Sequence, residues 1–163
     1  LEEIDATPLL QDIYANFSPV AAEEGIDLSA QLPDRGLLTQ IDAARIKQVL
    51  YNLLSNAIRH TPAGGCITLQ ARTTENEIDI TVSDTGEGVA AEHLDRVFDR
   101  FYRIDPARAH DTGGIGLGLA IAKAIIEAHN GRMSVSSAGV GKGASFTIWL
   151  PRYRGDLPPR LDG

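Results

Sequence analysis

The stretch DAARIKQVLYNLLSNAIR, residues 42–59, decides the fold because its apolar residues recur at the spacing of a long amphipathic helix. Asp42 has a side chain suited to capping the first turn, and the sequence His60-Thr61-Pro62 ends the pattern. Seven residues form the apolar face: Ile46, Val49, Leu50, Leu53, Leu54, Ala57 and Ile58. We therefore expect this helix to cover a sheet.

The segments on either side alternate between helical and strand patterns. Further helices are predicted at residues 8–24, with Thr7 as N-cap, at 92–98 and at 117–129. Strands are predicted at six places: residues 26–30, 36–41, 67–73, 77–83, 132–137 and 144–150. This mixture predicts an α+β fold, a two-layer α/β sandwich whose mixed, mostly antiparallel sheet is covered on one face by helices.

The composition bounds the possible functions. The 163 residues include 15 Lys and Arg against 22 Asp and Glu, a formal net charge of −7 that excludes a general nucleic-acid or anionic-membrane binder. The single Cys66 excludes an internal disulfide and a cysteine zinc site, and no apolar run is long enough to span a membrane. The length suits one domain, which we place at residues 1–151, followed by a loosely ordered tail at 152–163.

The polar face of the central helix is the first candidate for chemistry. It carries a narrow stripe that includes Asn52, Asn56 and Arg59. A solvated surface is the ordinary interpretation of such a stripe, but asparagine is a poor residue for the middle of a helix. An amide oxygen is a hard, neutral ligand that suits Mg²⁺ already carrying phosphate, and arginine binds phosphate directly. Taken alone, the stripe leaves both interpretations open.

Two glycine-containing segments are further candidates. The sequence SDTGEGV at residues 83–89 is either an ordinary β-turn or a turn that places the Asp84 carboxylate to accept a hydrogen bond from an exocyclic amine. The sequence GIGLG at residues 114–118 leads into a helix, where free N–H groups and the helix dipole favour an anion. No buried strand precedes it, and Gly141-Lys142 is followed by glycine, so neither a Rossmann turn nor a P-loop fits.

The segment between these glycines is locally basic. Residues 96–110 contain four arginines and two aspartates, a local net charge of +2. Its aromatic residues, which include Phe98 and Phe101, are expected to pack the core or a lid. Residues 99–115 have few apolar anchors and several glycines, so we expect this lid to be the most mobile region.

These segments occur in a fixed order: an N-x-x-x-N helix, a D-x-G-x-G turn, an F-x-x-F segment and a G-x-G-x-G-L helix start. As an ordered set they resemble the catalytic ATP-binding domain of sensor histidine kinases, within a wider group shared with gyrase, Hsp90 and MutL. The resemblance covers about residues 5–151. It implies a domain that binds Mg²⁺ and ATP and presents the γ-phosphoryl group to a histidine on a separate dimerisation domain absent from this chain.

The resemblance also implies roles for individual residues. Asn56 would be the main Mg²⁺ ligand, with Asn52 assisting. Arg59 would reach the phosphates and Arg103 the γ-phosphate, which makes these two residues and Asn56 the catalytic set. Asp84 would accept a hydrogen bond from the adenine amino group.

Other matching residues would shape the nucleotide site or close the lid over it. Gly86 and Gly88 would form the floor, and Ser145 matches a hydroxyl position near Asp84. The remaining positions are His60, Phe98, Phe101, Gly114, Gly116, Leu117, Gly118 and Leu119.

One position separates kinases from ATPases in this group. The hydrolysing members resemble one another in having a glutamate one turn before the Mg²⁺-binding asparagine, where this chain has Asn52. An amide cannot act as a general base, so the resemblance implies phosphoryl transfer. Two other hypotheses stay open: a nucleotide-gated module that dimerises on binding ATP, and a degenerate domain that binds without transferring.

The resemblance also implies partners and a location. The partners are the His-bearing dimerisation domain of the same parent protein and a response regulator, with no nucleic acid. We expect a monomeric cytoplasmic domain within a homodimeric parent anchored in the bacterial inner membrane. None of the four histidines lies in the expected phosphoacceptor pattern, so we expect no autophosphorylation by this chain alone.

Overall fold

The computed structural model describes residues 1–100 and 118–153. Its helices are α1 (Thr7–Glu23), α2 (Ala43–His60), α3 (Ala91–Leu94) and α4 (Gly118–Ala128). Its strands are β1 (Glu2–Asp5), β2 (Asp27–Gln31), β3 (Leu38–Ile41), β4 (Cys66–Thr73), β5 (Glu77–Asp84), β6 (Arg132–Ser136) and β7 (Ala144–Pro151). None of the helices in these ranges is long and apolar enough to cross a membrane.

The main sheet has five strands in the order β2-β4-β5-β7-β6. The pair β2–β4 is parallel, and the other three pairs are antiparallel. In the pairing of β5 with β7, Ser83 lies opposite Ser145 and Asp84 lies opposite Ala144. The predicted mixed, mostly antiparallel sheet of an α+β fold is confirmed.

The helices pack on one face of this sheet. Helix α1 contacts β2, α2 contacts β5, and α4 contacts β6 and β7. Six of the seven apolar residues predicted to face the sheet from α2 are buried: Ile46, Val49, Leu50, Leu53, Leu54 and Ala57. Each of the five larger side chains, all of them except Ala57, contributes roughly 1.5–3 kcal/mol on burial, so this helix is a main source of the stability of the core.

The helix boundaries follow from local chemistry. Asp42 caps α2, since its side chain accepts a hydrogen bond from the Arg45 N–H at 3.3 Å. Asn130 ends the α4 region in the left-handed conformation with φ of 59°, as the Asn-Gly stop predicts. Thr7 is not the cap of α1, however, because it is already the first helical residue and is buried.

The N-terminal strand is the element that the sequence did not predict. Among the strands that the structure describes, β1 pairs with β3 alone, antiparallel, in a two-stranded sheet. Asp5 at its end accepts hydrogen bonds from the N–H groups of Thr7, Gly36 and Leu37 at 2.9, 2.9 and 3.1 Å. The carboxylate of Asp5 therefore does the capping that the sequence assigned to Thr7.

The predicted tail begins with two residues that are held by the fold. Arg152 N–H donates to the Asn76 carbonyl oxygen at 2.9 Å, and Tyr153 N–H donates to the Leu38 carbonyl oxygen at 2.8 Å. Residues 154–163 lie outside the described residues, so the predicted order of the tail beyond Tyr153 stays a prediction.

Candidate functional site

Asp84 is the last residue of β5, and its carboxylate lies partly buried at the end of the sheet. Oδ1 accepts hydrogen bonds from the N–H groups of Gly86 at 2.9 Å and Ala144 at 3.3 Å. Burial raises the pKa of the Asp84 carboxyl above its ordinary value, and these bonds and nearby His60 offset only part of that rise. Because both bonds fall on Oδ1, Oδ2 is the oxygen positioned to accept from a ligand.

The turn after Asp84 is packed tightly against the end of α2. Glu87 N–H donates to the carbonyl oxygen of His60 at 3.0 Å, and a Cβ at Gly86 would collide with that same oxygen. At Gly88, where φ is +70°, a Cβ would collide with the carbonyl oxygen of Gly139. Contact with neighbouring backbone therefore requires glycine at both positions, which is a reason that the sequence alone did not reveal.

The polar stripe of α2 faces the start of α4. These two helices pack against each other, and the Asn52 Nδ2 donates to the carbonyl oxygen of Gly118 at 3.4 Å. This bond uses the amide nitrogen, so the Asn52 Oδ1 is the atom left for a ligand. Asn56 follows one turn later on the same face, and Leu119 lies in the first turn of α4.

The last turn of α2 connects this region to Asp84. Arg59 is exposed, and His60 is partly exposed with its Nδ1 at 3.3 Å from the Glu87 Oε2. His60 contacts the Asp84 turn through its carbonyl oxygen, while Asn52 lies eight residues earlier, or about 12 Å along the helix axis. A single rigid helix therefore sets the separation between the Asp84 carboxylate and the start of α4.

Phe98 stands at the beginning of the predicted lid and is anchored to the core. Its ring packs edge-on against Phe146 with the ring centroids 6.1 Å apart, and the Lys123 Nζ lies 5.1 Å from the Phe98 centroid. These contacts agree with the packing role expected for Phe98. They hold the chain against β7 and α4 just before the basic segment begins.

Ser145 does not lie where the resemblance suggested. Its Oγ is 2.9 Å from the Ser83 Oγ. Because side chains alternate along a strand, these two hydroxyls face the opposite side of the sheet from Asp84 and from the helices. The β7 residue beside the Asp84 carboxylate is Ala144, which contributes only its backbone N–H.

Five predicted site residues lie outside the described residues: Phe101, Arg103, Gly114, Gly116 and Leu117. Most of the predicted mobile lid, residues 99–115, also lies there. Their roles stay predictions.

The donor chemistry of the described site suits a metal that arrives with its nucleotide. Over residues 1–100 and 118–153 there is no group of three or more His, Cys, Asp or Glu side chains that could hold a metal ion. Asn52 and Asn56 instead offer neutral amide oxygens. These fit Mg²⁺, which keeps several waters and takes its remaining ligands from substrate phosphates.

The sequence missed the contacts that backbone groups make to the site. The Ala144 N–H on the Asp84 carboxylate and the Gly118 carbonyl on the Asn52 amide depend on strand register and on helix packing. Neither contact can be predicted from the types of the residues that make it. The sequence did predict a sheet rich in hairpins. That prediction indicates which strands are neighbours, but not which residues pair across them.

The geometry of the described residues defines a class of protein. It is an α+β domain with a partly buried carboxylate at the end of a strand. A helix that carries two asparagine side chains connects this carboxylate to the first turn of another helix. Residues 41–154 match the family described as histidine kinase-, DNA gyrase B-, and HSP90-like ATPase. The chain belongs to this family. The resemblance that the ordered motifs indicated is confirmed.

Within the family, the similar proteins are histidine kinases. The chain is 44% identical over 131 residues to the sensor histidine kinase WalK of Bacillus subtilis, a match that covers 79% of this chain and 21% of WalK. The nucleotide-free catalytic domain of histidine kinase ThkA matches with a TM-score of 0.80 and 26% identity, covering 93% of this chain and 99% of that domain. Full-length ShkA in complex with AMPPNP matches with a TM-score of 0.77 and 32% identity, covering 93% of this chain and 31% of ShkA.

A complex of ThkA with its response regulator TrrA also contains a matching domain, with a TM-score of 0.76, 26% identity, and coverage of 93% of this chain and 41% of ThkA. The chain spans 21% to 32% of the length of the first three curated relatives. The shared part is the catalytic ATP-binding domain of sensor histidine kinases.

Proposed function

We propose that this domain binds ATP with Mg²⁺ and holds the γ-phosphoryl group for transfer to a histidine on another domain. The observation that carries the proposal is the Asp84 carboxylate, partly buried at the end of β5 with Oδ1 already bound by two backbone N–H groups. A carboxylate held in this way presents one fixed acceptor, Oδ2. The adenine amino group is a donor that fits it.

In this proposal, α2 and the start of α4 bind the phosphates of the nucleotide. Asn56 and Asn52 would hold Mg²⁺ through their amide oxygens, and the bond from the Asn52 Nδ2 to Gly118 would orient the second of these oxygens. When bound, the metal would neutralise phosphate charge. Arg59, on the same helix, would contribute a bidentate donor to a phosphate.

The rest of the phosphate contacts lie in and around the lid. Gly114, Gly116 and Leu117 would present backbone N–H groups to the phosphates, continuous with Gly118 and Leu119 in the first turn of α4. Phe98 and Phe101 would pack the lid. Arg103 would bind the γ-phosphate.

Transfer is favoured over hydrolysis because α2 offers no general base on the stripe that faces the start of α4. Asn52 stands where a hydrolysing enzyme needs a group that accepts a proton from water, and its amide nitrogen donates to Gly118. The domain would therefore hold ATP until an external nucleophile reaches it. Positioning and charge neutralisation would supply the rate enhancement.

The nucleophile and the downstream partner would lie elsewhere. We propose that the histidine is on a dimerisation domain of the same parent protein and that a response regulator receives the phosphoryl group afterwards. The naming of WalK as a sensor kinase and the ThkA–TrrA complex support this placement. We further propose that the domain works in the cytoplasm as part of a homodimeric parent anchored in the inner membrane.

Calorimetric titration with ATP tests the nucleotide site. We expect Mg²⁺-dependent binding that weakens in the Asp84→Asn variant by about 1.5–3 kcal/mol, or roughly ten- to hundredfold. If the introduced amide keeps its oxygen on the Gly86 and Ala144 N–H groups, its NH₂ group turns toward the ligand. A donor would then meet the adenine amino group, which is also a donor.

Asp79→Asn is the matched control, since Asp79 lies on the same strand at an odd separation from Asp84 and so faces the other side of the sheet. Asp79 pairs there with the Arg72 Nε at 3.3 Å. We expect its variant to bind ATP as the wild type does. Unchanged affinity in Asp84→Asn, with ATP binding by the wild type, would contradict the adenine assignment.

A further inference from the structure

His129 closes α4 and is buried, with a relative exposure of 7%. Its Nε2 accepts a hydrogen bond from the Asp42 N–H at 3.1 Å, and its Nδ1 lies 2.7 Å from the carbonyl oxygen of Ile125. Asp42 is the N-cap of α2. One imidazole ring therefore joins the C-terminal end of α4 to the N-terminal end of α2.

These two contacts select one form of the ring. The Asp42 N–H can only donate, so the Nε2 must be unprotonated, and the Ile125 carbonyl can only accept, so the Nδ1 must carry the hydrogen. The tautomer is assigned from this network. A side chain without an acceptor at the Nε2 position removes this partner from the Asp42 N–H. The Ile125 carbonyl oxygen would keep a second bond, which it accepts from the His129 backbone N–H at 3.2 Å.

A second contact joins the same two helices at their other end. The Asn52 Nδ2 donates to the Gly118 carbonyl oxygen at 3.4 Å. From Asp42 to Asn52 is ten residues, or about 15 Å of α2, and from Gly118 to His129 is eleven residues, or about 16 Å of α4. The two helices therefore run antiparallel, and matched lengths separate their two contacts.

The contacts fix the position of α4 along α2. A hydrogen bond at one end alone would permit the far ends to shift, whereas bonds at both ends hold the first turn of α4 beside Asn52. That first turn contains Gly118 and Leu119, which the proposed function assigns to phosphate binding. The Asp84 carboxylate is held by Gly86 and Ala144, which lie outside α2 and α4. Its turn does bond to α2, but at His60, the end of that helix far from Asp42.

We infer that His129 is a positioning residue for the phosphate half of the nucleotide site, acting through the register of α4 on α2. The inference rests on the proposed function, because it assumes that the nucleotide phosphates bind at the start of α4. It adds that the adenine half does not depend on His129. Loss of the ring should therefore weaken the binding of ATP and leave the binding of adenosine nearly unchanged.

The test compares two variants with two ligands. In His129→Leu we expect the Kd for ATP with Mg²⁺ to rise about three- to tenfold, as the loss of one to two hydrogen bonds predicts, and the Kd for adenosine to stay within about twofold. In His129→Gln the side-chain oxygen can accept from the Asp42 N–H, so we expect ATP affinity closer to that of the wild type. Amide hydrogen exchange at Asp42 should be faster in the Leu variant than in the Gln variant.

Ile126→Val is the control for simple destabilisation, because Ile126 is buried in the same helix and its side chain makes neither contact. It should lower thermal stability without changing the ratio of ATP to adenosine affinity. Equal losses of ATP and adenosine binding in His129→Leu, or no loss of either, would overturn the inference. Failure of both His129 variants to fold would also overturn it in favour of a purely structural role.

Different outcomes would contradict the proposed function and the role of His129. If the wild type binds adenosine and ATP equally, phosphate binding at α4 is absent and the wider proposal falls. If the wild type prefers ATP and the Leu variant keeps that preference in full, only the role of His129 is wrong.

Discussion

Asp84, which we propose binds the adenine amino group, carries a charge that lowers the stability of the fold. Burial disfavours its charged form, and the two backbone hydrogen bonds and nearby His60 compensate only in part, so the pKa of the Asp84 carboxyl lies above its ordinary value of 3.8. The folded protein therefore binds this proton more tightly than the unfolded chain does. At neutral pH, where the group is ionised, its charge lowers the free energy of unfolding.

Asp84→Asn should therefore stabilise the nucleotide-free protein while it weakens nucleotide binding. The sign follows from the raised pKa: the contribution of Asp84 to stability declines as pH rises from 3.8 through the folded pKa and then stays constant. We expect the thermal midpoint of the variant to exceed that of the wild type at about pH 7, with the difference shrinking as the pH is lowered toward 3.8. Thermal unfolding followed by circular dichroism over this pH range measures the difference in thermal midpoint and its dependence on pH.

A variant less stable than the wild type at neutral pH would show that the Gly86 and Ala144 bonds need the charged carboxylate. The Asp79→Asn protein gives the comparison. The charge of Asp79 is paired with Arg72, so we expect no gain in thermal stability when it is removed.

The site residues were predictable from sequence to the extent that their own side chains carry the chemistry. Asp84 follows a strand and Asn52 lies on a helical stripe, and both positions are visible in the pattern of residue types. Ser145 was placed wrongly relative to Asp84, because a shift of one residue along a strand moves a side chain to the other face. Only the pairing of Asp84 with Ala144 shows which face each residue takes.

At the scale of elements, the long and strongly periodic segments were predictable and the short terminal strand was not. Helix α2 has seven apolar residues at helical spacing and a charged cap, so its existence and its buried face follow from sequence. Strand β1 has four residues, two of them exposed glutamates, and pairs with β3. Four residues of this composition contain too little alternation to predict a strand.

Asp5 stabilises the junction between β1, α1 and the loop before β3. Burial alone would raise the pKa of the Asp5 carboxyl, but hydrogen bonds from Gly36, Thr7 and Leu37 outweigh it and hold the pKa below the ordinary value. With a lowered pKa, its stabilising contribution is present above pH 3.8 and is lost as the pH falls through the folded value.

Asp5→Ala should cost about 1–2 kcal/mol of stability at neutral pH, because the first turn of α1 loses its cap and the loop N–H groups lose their acceptor. For a chain of this size that corresponds to a fall of roughly 2–8 °C in the thermal midpoint. ATP affinity should not change, since the carboxylate of Asp5 bonds to Thr7, Gly36 and Leu37, which are not site residues. Asp12→Ala, at an exposed aspartate of α1, is the control, and an equal loss in both variants would refute the capping role.

At the scale of the whole molecule, the net charge of −7 and a polyanionic ligand are compatible because charge is distributed unevenly. Four arginines and two aspartates fall within residues 96–110, a few positions in the sequence before the helix start that is proposed to bind phosphate. Mg²⁺ and backbone N–H groups would provide the rest of the neutralisation. The net charge is therefore compatible with the binding of a nucleotide.

The three histidines within residues 1–100 and 118–153 are poorly placed to receive a phosphoryl group. His129 is buried with both ring nitrogens in hydrogen bonds, and the Nδ1 of His60 lies 3.3 Å from Glu87. His93 has its Nε2 at 3.5 Å from Glu92, and His110 lies outside the described residues. The proposed function therefore assigns the nucleophile to another domain of the parent protein.

We expect the isolated chain incubated with radiolabelled ATP and Mg²⁺ to acquire no acid-labile, base-stable phosphate. When the His-bearing domain of its own parent protein is added, the label should appear on that domain and not on this chain. Asp84→Asn should lower the rate of labelling at limiting ATP by roughly ten- to hundredfold, in step with its loss of affinity, while Asp79→Asn should not. Phosphohistidine on this chain alone, or transfer that is indifferent to Asp84, would contradict a domain that binds ATP through this carboxylate and delivers its γ-phosphoryl group elsewhere.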